Sequence, residues 1–151
     1  MSLEMACEIK AGDVISALEA EHTSTLATCA GNRVTIRPIS HVNEGLNILF
    51  QTGKNSLKMQ QIRENPNVAL CVGTYEIEGE AIEAGRPLAE ENAAFVRLYM
   101  EKHPGSYERY SALQDETVVK LTVRHVRQWR YINGEPLLAE LRFQGEHIHE
   151  N

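Results

Sequence analysis

The chain has 151 residues, with 21 acidic against 15 basic side chains and a formal charge of −6. That length fits one compact domain, and the negative balance opposes a nucleic-acid backbone or an anionic lipid surface as the main partner. Three cysteines without a Cys-x-x-Cys pair, and no apolar run near the ~20 residues of a membrane span, point to a soluble cytoplasmic protein with reduced, buried thiols.

In chain order, Gly12-Asp13 opens an amphipathic helix that ends near Glu21-His22. Thr23 to Ala30 and Arg33 to Ser40 read as two strands of a hairpin, joined by the turn residues Gly31-Asn32. In the second strand Val34 and Ile36 share one face and Arg33, Thr35 and Arg37 the other, so Arg37 is expected to face away from the core. Asn43-Glu44-Gly45 turns the chain into a strand carrying Leu46, Ile48 and Phe50 and ending at Gln51-Thr52-Gly53.

Leu57 to Glu64 predicts a short helix that stops at Asn65-Pro66, because the residue before proline is pushed out of the helical region. The apolar run Val68 to Gly73 reads as a strand buried on both sides, with Cys71 as an inert core thiol. Tyr75 to Ala84 reads as its continuation or its partner after a bend, with Gly79 permitting a bulge or a close approach. Ala89 to Lys102 predicts an amphipathic helix closed by Pro104-Gly105, and Ser106 to Leu113 a shorter one. Thr117 to Ile132 reads as a long strand with Val119, Leu121, Val123, Trp129 and Tyr131 on one apolar face. Asn133-Gly134 turns it into a last segment that starts apolar and ends polar. The tail, with His147 and His149, is read as disordered over its last residues and as holding no metal. The sum is a single α+β domain, a small barrel of about six mainly antiparallel strands with flanking helices.

Arg37, Thr52, Ser56 and Lys58 gather a guanidinium, two hydroxyls and an ammonium around the start of a helix whose first N–H groups lack partners. That is the chemistry of a phosphate site. By residue chemistry alone the same set also reads as a solvated strand edge and an ordinary helix cap. The order Arg37-Pro38-Ile39, Phe50-Gln51-Thr52, Ser56-Leu57-Lys58 and Asn65-Pro66 before a strand resembles the FMN-binding split barrels related to pyridoxamine 5'-phosphate oxidase. The resemblance implies that Arg37, Ser56 and Lys58 hold the FMN phosphate and that Pro38, Ile39 and Ser40 run along the flavin ring. It implies further that Gln51 and Thr52 contact the flavin, and that Trp129 closes the pocket across a homodimer interface.

The chain departs from the oxidases themselves. Leu57 stands where they have a basic residue, Ser40 and His41 stand where a lysine closes the flavin strand, and Leu138 to Phe143 lack the arginine-containing substrate motif. Vitamin B6 is therefore not the expected substrate, and the shorter relatives are the better likeness: nitroimidazole-type reductases, general stress proteins and flavin carriers. The function so implied is an FMN-dependent oxidoreductase taking electrons from NADH or NADPH to a small organic acceptor. The alternatives are a non-catalytic flavin-binding or stress-related module, or the same barrel holding a deazaflavin or haem. His41 is read as a turn residue, and no catalytic residue is assigned.

Overall fold

A computed structural model of the chain describes residues 2–143, so the expectations for the tail lie outside the described residues. Helices α1 (Leu3–Ala6) and α2 (Ala11–Ala20) precede strands β1 (Ser24–Ala30), β2 (Arg33–Ile39), β3 (Val42–Glu44) and β4 (Asn47–Gly53). Helix α3 (Leu57–Glu64) leads to β5 (Asn67–Val72) and β6 (Tyr75–Gly85), followed by helices α4 (Ala93–Lys102) and α5 (Pro104–Tyr110) and the hairpin of β7 (Glu116–Ile132) and β8 (Glu135–Arg142). The strands form one antiparallel eight-stranded sheet in the order β2-β1-β5-β6-β7-β4-β3, with β8 beside β7. This is the α+β split barrel expected from sequence, with two more strands. The additions are β3, which takes in Asn43 and Glu44 of the expected turn, and β8. No helix among the described residues is long and apolar enough to cross a membrane.

The tight turns form where the sequence demands them. Gly31 and Asn32 have φ of 55° and 63°, and Asn133 and Gly134 have 53° and 82°, the left-handed pair that matches a two-residue hairpin to strand twist. Ser56 caps α3 by accepting the Met59 N–H at 3.3 Å, and Asn65-Pro66 ends that helix. Pro104 opens α5 at its first helical position, where no N–H is needed, rather than closing α4.

Leu26, Ile48, Phe50, Met59, Ile77 and Leu121 fill the barrel. A second cluster of Val42, Leu49, Phe95, Tyr99 and Val118 seats α4 against the barrel wall.

Three expectations about which way side chains face are overturned. In β2, Val34 and Ile36 are each 68% exposed, while Arg37 turns inward, because it pairs across from the fully buried Leu26 and Thr35 pairs across from Thr28. In β5 only Val68, Leu70 and Val72 are buried. Cys71 lies exposed on the outward face beside Ala69, so it is not a core thiol, and Cys7 is exposed as well.

The third concerns β7. Glu78 pairs with His125 but Gly79 with Val123, so Arg124 is an extra residue and the alternation changes phase. His125 and Val126 are buried in succession, and beyond them Trp129 and Tyr131 swing outward, 56% and 71% exposed. Gly79 is needed at that bulge: a Cβ there would stand 2.3 Å from the Thr122 carbonyl oxygen and 2.7 Å from Leu121 Cδ2.

Candidate cofactor site

The end of β4 and the first turn of α3 place Thr52, Ser56 and Lys58 together. Lys58 Nζ donates to Thr52 Oγ1 at 2.8 Å, and Thr52 Oγ1 donates to Ser56 Oγ at 3.1 Å. Lys58 is half-buried, and its one hydrogen bond among the described residues goes to a hydroxyl. Burial, then the Arg37 guanidinium, push its ammonium below the ordinary lysine range, and the Glu116 carboxylate opposes them. An incompletely compensated cation at a helix start is what a phosphate group would relieve.

Arg37 is held by the sheet. Its guanidinium donates to Thr28 Oγ1 at 2.8 Å, to Thr35 Oγ1 and, more weakly, to the Leu26 carbonyl at 3.4 Å. Thr28 and Thr35 each donate to Gln61 Oε1 at 2.5 Å, and the Gln61 amide donates to the Arg33 carbonyl at 3.0 Å. Gln61, buried on α3, thus ties the helix to both strands of the first hairpin. Arg37 acts on Lys58 electrostatically, while its own hydrogen bonds go to Thr28, Thr35 and Leu26. The four residues of the phosphate pattern therefore form two adjoining groups, Thr52-Ser56-Lys58 and the Arg37 network.

Beside Lys58 opens a cavity of about 290 Å³, lined by Pro38, Ile39 and Ser40 from β2 and the residues after it, and by Gln51, Thr52 and Gly53 from β4. Tyr99 of α4, Ser106 and Tyr110 of α5, and Glu116 at the start of β7 form its other walls. Every residue expected along the flavin ring, Trp129 excepted, lines this one space.

Glu116 is the residue that sequence reading missed. It pairs with Gly53 across β4 and β7, is only 7% exposed, and accepts a hydrogen bond from Gln51 Nε2 at 3.0 Å. The carboxylate only accepts, so the amide N–H end faces it, and Ser111 Oγ donates to the Gln51 Oε1 at the other end at 2.7 Å. Burial raises the Glu116 pKa above the ordinary carboxyl value, with the Gln51 hydrogen bond and Lys58 pulling it back. A glutamate at the head of a long apolar strand was the one local signal.

The sequence profile described as pyridoxamine 5'-phosphate oxidase matches residues 13–130, most of the chain. The chain belongs to the pyridoxamine 5'-phosphate oxidase family. Solved members of this fold agree. General Stress Protein 26 from Bacillus anthracis superposes with a TM-score of 0.66 at 17% identity, covering 88% of this chain and 98% of that one. An FAD-binding protein from Mesorhizobium loti gives 0.63 at 16%, covering 78% and 92%. The haem-storage protein HutZ from Vibrio cholerae gives 0.65 at 14%, covering 75% and 89%. No curated protein matches the sequence.

Within this pyridoxamine 5'-phosphate oxidase relative, two residues stand apart from the cavity. His41 is fully buried rather than in an exposed turn, its Nδ1 paired with Ser24 Oγ and its Nε2 with the Leu18 carbonyl, each at 2.8 Å. Burial lowers its pKa to about 4, the Leu18 hydrogen bond opposing this and the charges of Lys102, His103 and His22 adding to it. It has no access to the cavity. Trp129 lies far along β7, since the run from Glu116 to Trp129 is roughly 40 Å of extended strand at about 3.3 Å per residue. It does not reach the cavity of its own chain.

Proposed function

We propose that the chain is a cytoplasmic FMN-dependent oxidoreductase that passes electrons from NADH or NADPH to a small organic acceptor. The observation that carries this reading is the half-buried Lys58 at the capped start of α3, opening onto a cavity walled by the end of β2. Lys58, Ser56 and Thr52 would hold the phosphate with Arg37 behind them, and Pro38 to Ser40, Gln51 and Thr52 would flank the ring. Bound flavin supplies the electron chemistry, while the protein supplies position and exclusion of water. Exposed free thiols fit a reducing compartment.

A homodimer belongs to the same proposal. The outward stripe of Val34, Ile36, Ala69 and Cys71 is apolar and uncovered in a single chain, and such patches mark interaction surfaces. Trp129 and Tyr131 are likewise outward, as groups meant to cover a partner's flavin would be. The haem alternative lacks equivalent support. Among the described residues no histidine lines the cavity, so none is placed there to serve as an axial ligand.

The visible spectrum of freshly purified protein tests the reading. Bands of bound FMN are expected, and a colourless protein that takes up no added FMN would refute it. A Soret band would favour haem, and a deazaflavin spectrum that cofactor. Steady oxidation of NADH or NADPH with a quinone or nitroaromatic acceptor is expected of the reductase, and tight flavin without turnover would identify a carrier.

A further inference from the structure

Glu116 has no part in a phosphate grip, and its placement needs a reason. A carboxylate that is 7% exposed lines the same cavity as Lys58, held from one side by Gln51, to which Ser111 donates in turn. The groups facing it are Lys58 from α3, Tyr99 from α4 and Tyr110 from α5, with Arg37 of β2 beyond Lys58. Lys54 and Asp115 flank it at the adjoining turns, where the Lys54 N–H donates to the Asp115 carbonyl at 2.6 Å. Of these, Lys58 is the cation that offsets its charge across the cavity. No carboxylate and ammonium come within ion-pair distance here, so the two balance each other through the cavity that the ligand must enter.

Resting on the flavin reading above, we propose that binding of the FMN phosphate is coupled to uptake of one proton by Glu116, which makes this residue a determinant of phosphate affinity. The phosphate brings about −1.5 to −2 charges at neutral pH and claims Lys58 for itself. Glu116 then loses its compensating cation, gains an anionic neighbour, and remains excluded from water. Both changes disfavour its ionised form, and the unchanged burial keeps water from offsetting them. The balance is simple: the carboxylate takes a proton from solvent, no covalent bond of the flavin changes, and nothing is oxidised or reduced. Gln51 still donates to the neutral acid, so the site keeps its geometry. Burial already raises the Glu116 pKa in the empty site, which shortens the step.

The linkage has a definite sign. The bound state holds one more proton than the free state, so FMN affinity falls as pH rises above neutrality. Glu116→Gln keeps the side-chain shape and the neutral charge of the protonated form. We expect the substituted protein to bind FMN about tenfold more tightly than the parent at mildly alkaline pH, with the difference vanishing at mildly acidic pH. Riboflavin, which lacks the phosphate, should bind both proteins alike. Calorimetry in two buffers of different ionisation enthalpy should show proton uptake with FMN in the parent and none in the variant.

Superimposed pH profiles of FMN affinity would overturn the inference while leaving the flavin reading intact. Uptake that persists in the variant would assign the proton to Lys58 and overturn it too. Infrared difference spectra of the unmutated protein test the same point without a variant: a protonated-carboxyl band should grow with FMN and not with riboflavin, and its absence refutes the coupling. If neither protein takes up FMN or riboflavin, both the inference and the proposed function fail.

Discussion

The two faces of the first hairpin make opposite use of one alternating pattern. On the inner face Thr28, Thr35 and Arg37 meet Gln61 of α3 in a connected hydrogen-bond network. On the outer face Val34 and Ile36 are each 68% exposed among the described residues. In the middle of β2, Thr35 and Arg37 therefore point into the molecule and Val34 and Ile36 out of it, the reverse of a soluble monomer's strand. The contrast makes sense if the inner face is finished by a ligand and the outer face by a second copy.

Charging the outer face should have the largest effect. In the proposed dimer, Val34→Asp with Ile36→Asp sets four carboxylates against one another in an apolar contact, and light scattering should fall from twice the 17.0 kDa chain mass to that mass itself. The single chain should stay folded, since exposed substitutions usually cost within about 0.5 kcal/mol. A parent protein that is already monomeric while binding FMN fully at low micromolar concentration removes the argument.

The inner face is tested next. Lys58→Ala should weaken FMN binding by about ten- to a hundredfold, from the roughly 1.5–3 kcal/mol of a charge-assisted bond, and leave riboflavin binding unchanged. Arg37→Ala should lose comparable affinity and also some stability, because Thr28 and Thr35 lose a donor that they share. Equal losses for FMN and riboflavin would separate both residues from the phosphate.

Gly79→Ala probes the bulge that turns Trp129 outward. Its Cβ would press on the Thr122 carbonyl and Leu121, so unfolding should become easier by about 1–3 kcal/mol, read as a lower denaturant midpoint. An unchanged midpoint would mean that β6 and β7 separate easily at this point.

What the sequence disclosed, and what it hid, follow from the range of the interactions concerned. Gly31-Asn32 and Asn133-Gly134 announced their hairpins, and Ser56 and Asn65-Pro66 bounded α3, because each acts on the backbone within a few residues. The inward side of β2 was misread because an apolar stripe marks a covered face without saying what covers it. Trp129 was placed on the wrong side because one extra residue at Arg124 inverts every later position. Glu116 was invisible as a site residue, since its meaning comes from pairing with Gly53 and from the Gln51 amide, both distant in sequence. That Pro38 to Ser40, Gln51, Thr52 and Lys58 come together was legible in their order; that Arg37 belongs to a separate hydrogen-bond network was not.

The smallest expected effect concerns neither face but the buried seam behind them, where His41 joins the segment after β2 to β1 through Ser24 and to α2 through the Leu18 carbonyl. Lys102 also donates to that carbonyl at 3.0 Å, and His103 pairs with the His41 carbonyl at 2.8 Å, so a second positive charge on His41 would be poorly placed. The native pKa of about 4 lies below the ordinary value of 6.5, so the unfolded chain binds the extra proton in between. Stability from this group is therefore complete above pH 6.5 and is lost as pH falls toward about 4, the loss reaching about 1–2 kcal/mol near pH 5. His103, also lowered chiefly by burial, adds to the loss in the same direction. Denaturant midpoints followed from neutral to mildly acidic pH should decline through this window, and the His41 ring resonances should show no protonation until its lower end. A midpoint that stays flat down to about pH 5, or a ring that titrates near 6.5, would mean that the seam is open to water and that His41 does not fasten it.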